Sequence, residues 1–180
     1  HNESFNADCN WKIYIDQFQE FYHTPFVHGV DRAVDIQNYT ATPYKNSMLM
    51  TAPPESAFFG GRWVWGWPNW TLGLFPGGMK LSRSNPTGIN SMETYFHYWF
   101  EREADIPQAG REKVISATAD IFRQDRMACE RVQTNVPNGE FSRGPFHPRH
   151  ETAVAYFQQL VLNALNHGDQ TNHAGEYLDV

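Results

Sequence analysis

The chain has 180 residues, enough for one domain with a substantial core, and 14 Lys and Arg stand against 20 Asp and Glu for a net charge of −6. No basic run occurs, which argues against nucleic acid or an anionic membrane surface as the main partner, and no apolar run is long enough to span a bilayer. Cys9 and Cys129 are the only cysteines, too few for a disulfide framework, so a reducing, cytoplasmic location is expected. The chain opens on His1 with no signal-like segment, which fits a piece of a longer protein.

In chain order, Trp11, Ile13 and Ile15 alternate with Lys12, Tyr14 and Asp16, the period of a short strand. Asp16 followed by Gln19 resembles a capping box and predicts a helix from there to Thr24, where Pro25 should end it. From Ala41 to Glu101 the pattern is β-like, with strands at 47–52, 57–65, 70–75, 79–84 and 91–100. The connectors Pro53-Pro54, Pro68-Asn69, Pro76-Gly77-Gly78 and Asn85-Pro86-Thr87-Gly88 are turn-forming and imply an antiparallel meander. Pro107 opens a long helix through about Gln133, and 150–167 reads as a second, ended by Gly168. The tail 169–180 is polar, a docking arm or a loose end. Strands in one block and helices in another predict an α+β domain spanning 1–180, with helices packed on one face of an antiparallel sheet.

Three residues carry the chemistry. On a single helix, His23 and His28 would point about 140° apart. A break at Pro25 lets them converge as half of a metal site. On the long helix, Val114, Thr118, Ile121 or Phe122, Asp125, Cys129 and Val132 recur at spacings of three and four, which puts the Asp125 carboxylate in the core-facing stripe. An unpaired carboxylate there would cost several kcal/mol, so a metal, a cation or a cluster of donors is expected beside it. Two imidazoles and one carboxylate with open positions suit ferrous iron and dioxygen. Asp120 is the reserve third ligand. Glu20 lies one helical turn before His23, within reach of the imidazole it would orient. The chain is rich in aromatics, with six Trp, eight Tyr and thirteen Phe; Trp65, Trp70, Phe75, Tyr95 and Trp99, with Cys129 beside the site, are the candidate substrate pocket. Such a pocket suits a planar ring by area burial or a quaternary ammonium by cation–π contact.

The runs Asn10-Trp11-Lys12, Asp16-Gln17-Phe18-Gln19-Glu20-Phe21-Tyr22-His23 and His28 resemble the catalytic domain of Rieske non-haem iron ring-hydroxylating oxygenase alpha subunits. So do Gln124-Asp125-Arg126-Met127-Ala128-Cys129-Glu130-Arg131-Val132-Gln133 and, after it, Gly139, Pro148 and Glu151. The resemblance implies a helix-grip sheet, of the START and Bet v 1 type, with a long helix closing a cavity. It makes His23, His28 and Asp125 the Fe(II) ligands and Glu20 the electron-transfer link to a neighbouring subunit's cluster. Gln17 stands where the family keeps a supporting asparagine. A trimer or hexamer, O2, a small substrate and a reductase or ferredoxin chain follow as partners. The implied reaction is mono- or dioxygenation, aromatic ring hydroxylation first, with choline-, betaine- or carnitine-type oxidation as the alternative within the family. A Rieske [2Fe–2S] cluster needs two Cys and two His, and neither cysteine sits in a Cys-x-His or Cys-x-x-His setting, so the cluster belongs to a missing domain or a partner. Outside that family, the alternatives are a non-catalytic ligand-binding domain of the same architecture and a zinc hydrolase.

Overall fold

A computed structural model describes residues 1–30, 34–56, 60–102, 106–138 and 144–167. Strands β1 (Asn2–Ala7), β2 (Thr40–Tyr44), β3 (Ser47–Thr51), β4 (Arg62–Gly66), β5 (Trp70–Phe75), β6 (Gly78–Gly88) and β7 (Ser91–Phe100) form one sheet. Its order is β1-β7-β6-β5-β4-β3-β2 and every pairing is antiparallel. The meander predicted from the turns is therefore present, and β1 returns to the far edge against β7. Helices α1 (Trp11–Phe18), α2 (Thr24–Val27), α3 (Gln108–Asn135) and α4 (Thr152–His167) complete the described fold. Residues 57–59 of the expected third strand segment, Gly139, Gly168 and the 169–180 tail lie outside the described residues.

Inward-pointing Met48, Met50, Trp63, Trp65, Phe75, Met92, Phe96 and Tyr98 form the sheet side of the core. Helix α3 covers the β1–β7 end, where Phe122 packs on Phe5, Phe96 and Tyr14. Helix α4 covers the β4 side, where Phe157 meets Trp65, Trp67 and Trp11. The core face of α3 is Thr118, Ala119, Phe122, Asp125, Cys129 and Gln133, and Asp125 is 7% exposed.

Four local expectations need correction. Residues 11–15 are helical, not extended: Asn10 caps α1 by accepting from the Lys12 N–H at 3.0 Å, so Asp16 lies inside the helix rather than at its start. Helix α1 also stops at Phe18, well before Thr24. Pro25 does not follow the end of a helix but sits in the first turn of α2, the one place where its missing N–H costs nothing. Finally, 85–88 belongs to β6, with a register shift between Pro86 and Gly88 that accommodates the proline near the hairpin end.

Candidate metal centre

One short helix presents both histidines. His23 is the N-cap of α2 and His28 its C-cap, so the rings leave opposite ends of a single turn, with centroids 5.3 Å apart. Asp125 approaches from the middle of α3. One ligand atom each from His23, His28 and Asp125 falls within a 4.8 Å cluster. Nε2 of His28 is 3.0 Å and Nε2 of His23 3.7 Å from Oδ1 of Asp125.

The outer nitrogens decide what this cluster is for. Nδ1 of His23 lies 2.6 Å from Oε1 of Glu20, and Nδ1 of His28 lies 2.8 Å from Oε1 of Gln124. Both partners are acceptors, so each Nδ1 carries the ring hydrogen and each Nε2 presents a lone pair. Two lone pairs then face one carboxylate oxygen, an arrangement that repels unless a proton or cation sits among them. Gln17 partly relieves it: its Nε2 amide lies 2.7 Å from Nε2 of His23 and 2.8 Å from Oδ1 of Asp125, donating to the lone pairs a metal would take. Oε1 of Gln17 is buried with no hydrogen-bond partner. The donor set fits a divalent metal of the iron type, with His23, His28 and Asp125 as ligands and Glu20 and Gln124 fixing the tautomers.

Glu20 is buried, and its second oxygen accepts the His23 backbone N–H at 3.1 Å. Asp120 is remote from this cluster in role: it pairs with Arg123 on the exposed side of α3. His97 bonds Asn2, and His147 packs on His150. His173 lies outside the described residues.

A cavity of about 80 Å³ adjoins the trio. Gln17, His23, His28 and Asp125 form its polar end, and its walls are Tyr14, Phe18, Phe21, Trp63, Phe96 and Phe122. Thr118, from α3, and Lys80, from β6, also line it. None of the six expected pocket residues is among the described lining residues. Trp65 is sealed in the core between Trp67 and Phe157, and the Trp70 indole lies over Gly66. Phe75 packs on Phe100, while Tyr95 and Trp99 alternate onto the outer face of β7. Cys129 faces Cys9; both are buried free thiols, and the hydrogen bond between them, with burial, pushes the Cys129 thiol up. The lining aromatics come instead from α1, the turn after it, the inward parity of β4 and β7, and Phe122 of α3. Gln124 was legible as the neighbour of Asp125, and Lys80 as a charge at inward strand parity; neither entered the sequence-based candidate set.

The model of the ring hydroxylating alpha subunit catalytic domain matches residues 1–40 and 29–167. The chain belongs to that family. Among curated relatives, chloroplastic choline monooxygenase of Beta vulgaris is 20% identical over 171 residues, covering 87% of this chain and 37% of that protein. The Spinacia oleracea enzyme is 21% identical, over 92% of this chain and 40% of that protein. The chain thus spans about two fifths of the length of these relatives. Among solved structures, a quaternary ammonium Rieske monooxygenase of carnitine oxidation superposes with a TM-score of 0.74 at 19% identity, over 91% of this chain and 49% of that one. Dicamba monooxygenase bound to 3,6-dichlorosalicylic acid gives 0.72 at 12% identity, over 94% and 60%. The fold is that of these catalytic domains. No described helix is long and apolar enough to cross a membrane.

Proposed function

We propose that this chain is the catalytic domain of a Rieske-type oxygenase that hydroxylates a small organic molecule with O2 and externally supplied electrons. The observation that carries the reading is the pair of Nε2 lone pairs aimed at one Asp125 oxygen, each held there by an acceptor on the opposite ring nitrogen. His23, His28 and Asp125 would hold ferrous iron, which would supply the dioxygen chemistry. Mono-oxygenation places one oxygen atom in a C–H bond and consumes two electrons and two protons to release water. The chain's own residues orient and exclude: Glu20 and Gln124 hold the imidazoles, and Phe18, Phe21, Trp63 and Phe96 keep water from the substrate.

The electrons would come from a Rieske [2Fe–2S] cluster on another domain or chain, a reading supported by the sequence, whose two cysteines, Cys9 and Cys129, stand in no Cys-x-His or Cys-x-x-His setting. Glu20 is the link to it, in a homotrimer or larger ring where a neighbour brings the cluster near. The free thiols suit a cytoplasmic, reducing location. Aromatic ring hydroxylation is favoured by the aromatic walls. Mono-oxygenation of a quaternary ammonium compound is the second reading, supported by the names of the choline and carnitine relatives.

Anaerobic metal analysis of the full protein tests the centre. About one iron per subunit is expected, and Ala at His23, His28 or Asp125 should each abolish it while far-UV circular dichroism stays unchanged. A wild-type protein that takes up no iron would leave a ligand-binding domain with a structural polar trio. Full iron in Asp125→Ala would move the third ligand elsewhere.

A further inference from the structure

Trp70 alternates with the inward-pointing Thr71 and so stands on the outer face of the sheet, away from the metal cavity. Its half-buried indole covers Gly66, a residue with no Cβ to push it off the sheet. The ring is thus seated on backbone while the rest of its surface faces solvent. With Pro68, Leu81 and Pro86 it forms the apolar walls of an open groove of about 640 Å³, within the size range of small-molecule sites.

The polar residues of this groove are Asn69, Arg83 and Asn85, and no carboxylate lines it. Arg83 stands directly across from Trp70 in the β5–β6 register, which brings their Cβ atoms to about 5 Å of each other. It is exposed and, among the described residues, has no hydrogen bond, ion pair or ring contact. Its partner on the other side is Tyr95, whose hydroxyl donates to Glu93 at 2.6 Å and so occupies the nearby acid of that face. Asn69 donates to the Ser84 carbonyl at 2.7 Å and to Oδ1 of Asn85 at 3.4 Å. Asn85 is left with its amide hydrogens to give, on the same strand face as Arg83. In a chain of net charge −6, a groove with a guanidinium, spare N–H donors and no acid selects for an anion.

We propose that this groove is a binding site for a planar aromatic carboxylate. The ring of the ligand lies against the open surface of Trp70, between the proline walls, and its carboxylate takes the bidentate fork of Arg83 with Asn85 beside it. A neutral ring forfeits the charged pair, and an anion without a ring forfeits the stacking. The groove and the metal trio use opposite faces of the sheet, so the inference does not depend on the oxygenase reading.

The test follows fluorine magnetic resonance of the full-length protein labelled with fluorotryptophan, with the Trp70 and Trp63 signals assigned from Trp70→Phe and Trp63→Phe. Trp63 lines the metal cavity and reports on binding there. The probes are benzoate and naphthoate, the neutral match benzamide, the saturated match cyclohexanecarboxylate, and the ringless anions acetate and inorganic phosphate. Benzoate or naphthoate should shift the Trp70 signal saturably, with a Kd of about 1 mM or below, and each match should bind about tenfold more weakly. Arg83→Gln should weaken the aromatic carboxylates by about tenfold while leaving benzamide within about threefold. Arg83 is exposed, so this variant keeps the fold. A Trp70 signal unmoved by both aromatic carboxylates, equal binding of benzamide, or unchanged affinity in Arg83→Gln overturns the proposal. Equal or tighter binding of acetate or phosphate overturns it too, leaving an anion site with no use for the indole. A shift confined to Trp63 assigns the ligand to the metal cavity and has the same consequence.

Discussion

His28 is clamped by two consecutive residues of α3: its Nδ1 lies 2.8 Å from Oε1 of Gln124 and its Nε2 3.0 Å from Oδ1 of Asp125. Adjacent helical residues diverge by about 100°, so only a side chain lying along the helix surface can touch both. That lateral seat fixes ring plane and tautomer together. Gln124→Leu should therefore keep the fold but weaken iron binding by about 10- to 100-fold, read by chelator competition under anaerobic conditions. Unchanged iron affinity would show that α2 alone orients the ring.

Glu20 spends both oxygens on His23, one on the ring and one on the backbone N–H. In Glu20→Gln the amide oxygen can still accept from Nδ1, but the NH2 group replaces the acceptor facing the backbone N–H. Iron is expected to stay within about tenfold of wild type. Oxidation of the reduced Rieske cluster, followed by stopped flow in the full protein with substrate and O2, should slow by about tenfold or more. A wild-type rate would reduce Glu20 to a support of the ligand.

Asp16 supplies a pH dependence of stability. Burial raises its carboxyl to about 7, against the pull of Gln158 and Lys12, and its Oδ1 is buried without a hydrogen-bond partner. The folded state thus holds the proton more tightly than the unfolded chain, where the group ionises near 4. Ionisation costs the fold nothing below about pH 4, and the cost grows from there to about pH 7, reaching on the order of 2–4 kcal/mol above it. Asp16→Asn should be more stable than wild type at pH 8 and lose the advantage at pH 4, measured by urea unfolding. A difference that does not change with pH would show that Asp16 ionises in the folded protein as it does in the unfolded chain.

Gly66 is the seat of the Trp70 indole: a Cβ there would lie 1.9 Å from Cε2 and Cζ2 of that ring. Gly66→Ala has to displace the indole or open the β4–β5 pair, and should cost about 1–3 kcal/mol in chemical denaturation with the iron content unaffected. A loss of iron instead would tie this edge of the sheet to the metal centre.

The sheet and the long helix were legible because their periods are unambiguous. The strand bounds 70–75 and 91–100 are those observed, and α3 runs 108–135 against an expected 107–133. Residues 11–18 were not, because two periods share the same residues. Trp11, Ile13 and Ile15 fit a strand, while Trp11, Tyr14, Ile15 and Phe18 fit a helix at i, i+3, i+4 and i+7, and the Asn10 cap decides for the helix. Strand β1 is hidden for another reason: as an edge strand it buries little beyond Ala7, so its sequence reads as polar. The convergence of His23, His28 and Asp125 was legible from residue type and spacing. The cavity walls were not, since a single error of strand phase exchanges Phe96 for Tyr95.

The three proposed ligands are unequal in their mechanical setting. Asp125 projects from the middle of a 28-residue helix, whereas His23 and His28 hang on the ends of a four-residue turn. When coordination distances tighten or relax, the compliance belongs to the turn, and the carboxylate acts as the fixed datum. Emptying the centre should hence speed amide exchange across residues 19–28 while leaving the interior of α3 protected, so that metal loss is felt as local loosening on the imidazole side alone.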